Sequence, residues 1–117
     1  VDSDQAPIID AYGEGMTVTS AMKGLAPTVN TLLSAIVLDD TWSDYVGKID
    51  NLGLVSDNVE ENYVQLPLES TQWNDGFTED DYKALVADMV AGKVTVDNSI
   101  DAMPETAITV NDLGNIK

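Results

Sequence analysis

Two carboxylates and one ammonium group carry the chemistry this chain could do. Asp2 and Asp4 flank Ser3 in the stretch Val1-Asp2-Ser3-Asp4-Gln5, and Lys23 ends the run Met16-Thr17-Val18-Thr19-Ser20-Ala21-Met22-Lys23. Carboxylates accept hydrogen bonds only, and an ammonium only donates them. Placed together they read a molecule that presents both, such as the neighbouring hydroxyls of a sugar. The same spacing also fits a plain Asp–Lys ion pair tying a loop to a helix, and spacing alone does not separate the two. In open α/β sheets, ligands bind at the carboxyl ends of strands. Val1 reads as the last residue of such a strand, with the acids in the loop beyond it and Lys23 close to a helix start.

Other chemistries fit less well. Asp2, Ser3 and Asp4 imitate the first positions of a calcium loop, but Ala6 stands at position five and no Gly–Glu frame follows. Asp39-Asp40, Glu60-Glu61 and Glu79-Asp80-Asp81 read as solvated faces or helix-end charges, so no metal or other cofactor is expected. Hydrolysis by paired carboxylates needs two acids held in a cleft with separated pKa values, and no pair is marked out for it. Lys23 as a nucleophile would need burial. Cysteine and histidine are both missing, which removes thiol nucleophiles, disulfides, zinc–thiolate centres and imidazole bases. The reading is of a binding protein, not an enzyme.

Charge narrows the ligand. The 117 residues carry a net charge of −16, with five lysines and no arginine. Such a chain repels phosphate backbones and anionic membrane surfaces, so no nucleic-acid partner is expected. Without arginine there is no bidentate phosphate clamp. A neutral or cationic solute fits better than a phosphorylated one. An apolar content of 44 % permits a core. The opening on a strand end reads as a fragment or processed product, with any targeting signal upstream.

The positioning elements follow from pattern. Ala6 to Gly15, with Pro7, Gly13 and Gly15, reads as loop. Met16 to Thr19 is β-prone. A helix capped by Thr19 or Ser20 follows, with Met22, Leu25, Ala26, Val29, Leu32, Leu33, Ile36 and Val37 as its buried face. Pro27 either kinks it or marks a second start, and it ends near Asp39-Asp40. Trp42 and Tyr45 fall in a helical turn or a loop against the body. Short strands are expected within Gly47–Val55 and near residues 62–67. Tyr12 reads as a surface aromatic and Trp73 as a packed anchor. Thr78 caps the clearest helix, with Glu79, Asp80 and Asp81 at its positive end, Phe77 and Tyr82 as a hydrophobic staple, and Gly92 closing it. Lys93 to Val96 reads as a closing strand, and Ala107 to Val110 as an edge strand in an acidic tail from 97 to 117.

Val1-Asp2-Ser3-Asp4-Gln5 followed by Thr17-Val18-Thr19-Ser20-Ala21-Met22-Lys23 resembles the "GVDxDQ … vltSxxK" region of the basic membrane protein family. These are substrate-binding lipoproteins of bacterial ABC importers, similar to a spirochaete purine nucleoside receptor. Leu52-Gly53-Leu54, the Val64 segment, and the Phe77-Thr78 helix ending Ala91-Gly92-Lys93-Val94-Thr95-Val96 follow a similar course. The resemblance covers residues 1–96 and the C-terminal third of such a protein. It implies an α/β chain, the C-terminal part of a two-lobed type I periplasmic-binding fold with three-layer αβα lobes, that holds a nucleoside or related solute between lobes. It also implies Asp2 and Lys23 at the ribose, with Asp4 as a weaker candidate, and base-stacking aromatics outside this sequence. The implied partners are a membrane permease and the remainder of the protein or a swapped copy. The implied location is extracytoplasmic, through a lipid anchor upstream. Gly24 and Pro27 depart from the family pattern beside Lys23. The alternative is a stand-alone acidic α/β interaction domain with no small-molecule ligand.

Overall fold

The computed structural model describes residues 2–97, 99, 101–103, 105–111, 113 and 114; Val1, read above as a strand end, lies outside them. The element order is helix α1 (Ala6–Ile9), strand β1 (Met22–Lys23), helix α2 (Leu25–Val37), 3₁₀ turns at Trp42–Asp44 and Val59–Glu61, strand β2 (Val64–Gln65) and helix α3 (Glu79–Val90). β1 and β2 pair antiparallel, Met22 opposite Gln65 and Lys23 opposite Val64. On its other edge β1 takes Asp2 in a parallel bridge through Met22. The Asp2 amide donates to Ala21 O at 2.9 Å and the Lys23 amide to Asp2 O at 3.0 Å. Parallel neighbours need a crossover, and α1 lies within this one.

α3 forms as its sequence dictates. Thr78 Oγ1 accepts the Asp81 amide, and the Asp81 carboxylate accepts the Thr78 amide, completing a capping box. At the far end Gly92 has φ 73°, its amide donates to Met89 O, and Lys93 donates to Asp88 O, a Schellman closure. Tyr82 and Val86 turn inward onto Val59, with Leu54, Leu66, Leu68 and Trp73 packed around them. Trp73 is the anchor expected: its ring lies 5.8 Å from that of Tyr82, and its Nε1 donates to Leu68 O. Tyr12 is exposed, also as read.

α2 starts later than its sequence implied. Ser20 is not its cap, because the Ser20 hydroxyl bonds Asp4 and Gln5, and residues 22–23 are claimed by β1. Gly24 is the N-cap, and its carbonyl accepts from the Thr28 amide and hydroxyl. Pro27 therefore falls in the first turn, where a missing N–H breaks no intrahelical bond, and it starts neither a kink nor a second helix. The expected buried face is also corrected. Leu25, Val29, Leu33, Ile36 and Val37 are each more than half exposed, while Ala35 is buried and Thr28, Thr31 and Leu32 face the chain. α2 carries no charged residue, so this stripe is an uncovered apolar surface.

Three expected strands do not form. Within Gly47–Val55 the Val55 amide is taken by the side chain of Asn62, and Gly53 O accepts from Tyr63 across a loop, so no ladder can run. Lys93–Val96 and the described residues Ala107–Val110 have no neighbouring strand. Ala6–Ile9, expected as loop, is a helical turn. Pro7 sits at its start, where proline is tolerated, and the Ala6 amide is held by the Asp4 carboxylate.

The accessible surface is 9377 Å² and the radius of gyration 17.9 Å. A compact protein of this mass exposes about 6,200 Å², and one of this length has a radius near ~13 Å.

Candidate functional site

The two stretches that carry the candidate residues interlock through backbone and side chains. Asp2 is clamped to β1 by the two ladder bonds above. Ser20 Oγ donates to Asp4 Oδ1 at 3.2 Å and accepts the Gln5 amide at 2.9 Å. Lys23 is held from both sides: its own amide bonds Asp2 O, and the next amide, Gly24, donates to Tyr63 O at 2.8 Å. A Cβ on Gly24 would lie 2.1 Å from Asn62 O and 2.9 Å from Tyr63 Cα. Glycine here is what allows Asn62 and Tyr63, just before β2, to approach the residue after Lys23, and this close packing positions Lys23.

The result is a direct contact. Lys23 Nζ lies 2.8 Å from Asp2 Oδ1, with side-chain exposures of 68 % and 64 %. The Lys23 hydrogen bond and charge hold the Asp2 carboxyl below its usual range, and Asp2 raises Lys23 in return. Both groups are therefore ionised across the neutral range. Neither has another side-chain partner among the described residues. Asp2 also has φ 96°, a left-handed conformation that costs a non-glycine residue energy. A strained, exposed acid beside an exposed ammonium forms a small dipolar platform able to accept from one hydroxyl and donate to the next.

Asp4 is placed differently. Its Oδ2 accepts from Ser70 Oγ at 2.7 Å, and its Oδ1 from Ser20 Oγ and the Ala6 amide. The Ser70 bond, then those from Ala6 and Ser20, hold its carboxyl below the usual range. Asp4 ties the first loop to the segment before α3, and it also borders an open depression with Pro7, Pro67 and Glu69. Ser70 was not legible as a partner, because nothing in sequence links positions 66 residues apart.

Among the described residues no group of Asp or Glu side chains gathers to hold a metal ion, and no helix is long and apolar enough to cross a membrane. No protein-family model matches the chain, and no curated protein or solved structure matches it. The family resemblance therefore stands on the motif residues themselves.

Proposed function

We propose that this chain is part of the substrate-binding component of a bacterial ABC importer, and that it binds a nucleoside or related sugar-containing solute without catalysis. The observation that carries this reading is the convergence of Asp2 and Lys23 at 2.8 Å, exposed, at the end of a paired segment. Asp2 accepts from one ribose hydroxyl and Lys23 donates to another oxygen of the same ring. Asp4, occupied by Ser20 and Ser70, holds the loop and stands further from the ligand. The chain forms the C-terminal part of a two-lobed type I periplasmic-binding fold, and closure about a hinge traps the solute.

Further support comes from the rest of the chain. The parallel pairing of Asp2 with Met22 suits an α/β lobe. The uncharged, exposed stripe of α2 suits coverage by the remainder of the protein or a swapped copy. A net charge of −16 without arginine suits a neutral nucleoside over a nucleotide. The partners of this reading are a membrane permease and the rest of the receptor, held outside the cytoplasm by a lipid anchor.

Calorimetric titration of the intact receptor with nucleosides and their 5′-monophosphates tests the proposal. Binding of nucleosides and rejection of the monophosphates is expected, and absence of nucleoside binding overturns it. The rival reading, an acidic interaction domain, is favoured by one observation, that the Asp2–Lys23 pair is already closed. It requires the 117-residue chain to be a compact monomer in size exclusion with light scattering. The proposal expects an expanded or self-associated species.

A further inference from the structure

Against the Thr28–Thr31 side of α2 lies a cavity of about 270 Å³, which Asp2, Asp4 and Lys23 do not line. Trp42 comes to it from the 3₁₀ turn, Tyr45 from the residue after that turn, and Tyr63 from the approach to β2. Lys48 and Asp50 also line it, their charged atoms 3.2 Å apart. Three aromatic side chains from two segments and one carboxylate thus share one small cavity.

The polar inventory decides what fits. The Thr31 and Tyr63 hydroxyls bond each other at 2.9 Å, and the Thr28 hydroxyl donates to Gly24 O at 2.8 Å. Those groups are already engaged, so a polyol would find few partners for its hydroxyls. The aromatic rings remain, together with the Asp50 carboxylate once Lys48 leaves it. Aromatic faces attract cations, most strongly those of tryptophan, and the field of a chain with net charge −16 draws cations toward it. Lys48 already shows an ammonium docked on Asp50, and its long stem is more than half exposed, so it can swing out into water.

The geometry points to a second site, independent of the nucleoside reading, that takes a small alkylated ammonium ion. Trp42, Tyr45 and Tyr63 supply the faces, Asp50 supplies the counter-charge, and Lys48 is the internal competitor that leaves on binding. Simple alkylated ammonium ions of choline size are within the volume of the cavity.

The test is calorimetry of the 117-residue chain with choline chloride against matched sodium chloride. 3,3-Dimethylbutan-1-ol serves as the neutral isostere and D-ribose as the polyol. Choline binds with a dissociation constant of roughly 1 mM, and the isostere binds about tenfold more weakly or worse. Asp50→Asn and Trp42→Ala weaken choline about tenfold, while Lys48→Ala tightens it, a gain that a merely structural role for Lys48 would not give. Lys48→Ala and Asp50→Asn alter exposed groups, so they decide the matter if Trp42→Ala does not fold. No heat above the salt blank, equal binding of the isostere, preference for ribose, or weaker choline binding by Lys48→Ala would each overturn the proposal.

Discussion

Gly24→Ala is the substitution in which fold and site meet. Gly24 has φ −74°, which alanine adopts freely, so the backbone gives no reason to resist the change. By itself the replacement would stabilise by about 0.5 kcal/mol, through a less flexible unfolded chain. Packing opposes it. The new methyl would stand 2.1 Å from Asn62 O, 2.9 Å from Tyr63 Cα and 2.9 Å from Pro27 Cγ. To reach even 3.0 Å, Asn62 O must retreat by about 0.9 Å. Asn62 cannot yield easily: it is fully buried, its Oδ1 accepts from Val55 and Ser56, and its Nδ2 donates to the carbonyls of Ser56 and Asn58. Overpacking against so fixed a neighbour costs about 3 kcal/mol, so the net loss is about 2.5 kcal/mol. Urea unfolding followed by tryptophan fluorescence should show the midpoint falling by roughly 1.5 M. Gly53→Ala is the control, because no atom lies within 4 Å of its Cβ position and its φ is not positive. It should be neutral or slightly stabilising. If Gly24→Ala is as stable as Gly53→Ala, then Asn62 and Tyr63 do not press on residue 24 and do not position Lys23.

Four further outcomes follow from particular groups. Thr78→Ala removes the cap of α3 and should cost about 1 kcal/mol in a thermal or urea melt. Thr17 Oγ1 is buried without a partner among the described residues, so Thr17→Val should raise stability by about 1 kcal/mol, read in the same melts. Asp4 and Asp81 both have carboxyls lowered by hydrogen bonds, from Ser70 first in one case and the Thr78 amide first in the other. A lowered folded value means the stabilisation is present above the unfolded carboxylate range and disappears as pH falls through the folded values. Melting temperature should therefore drop in acid, and less steeply in Ser70→Ala, which removes the largest cause at Asp4. Exposure screens both groups, so the slope is shallow.

The helix from Thr78 to Gly92 was legible to its ends because the signals that make it are local: cap, box partner and closing glycine lie within one short stretch. The other elements were read less well where distant groups decide them. Ser20 has the side chain of an N-cap, but Asp4 and Gln5 engage it first, and the helix starts at Gly24 because β2 takes the residues before it. The apolar repeat read as a buried helical face is helical only from Leu25 and mostly exposed, because periodicity gives no information about what covers it. Gly47–Val55 has strand-like composition, but Asn62 supplies the hydrogen bonds a neighbouring strand would have made. At the site, the pairing of Asp2 with Lys23 was open in the sequence as either ligand platform or ion pair, and the contact itself is compatible with both. The Trp42, Tyr45 and Tyr63 cavity left no pattern, since three aromatics at unequal spacing converge only through the fold.

The central claim is that Asp2 and Lys23 grip one sugar together. The decisive measurement is a double-mutant cycle in the intact protein, with nucleoside affinity measured by calorimetry for Asp2→Ala, Lys23→Ala and the pair. Each single change should weaken binding by about a hundredfold, and the double change should add little more. Unaltered affinity in either single variant would contradict it.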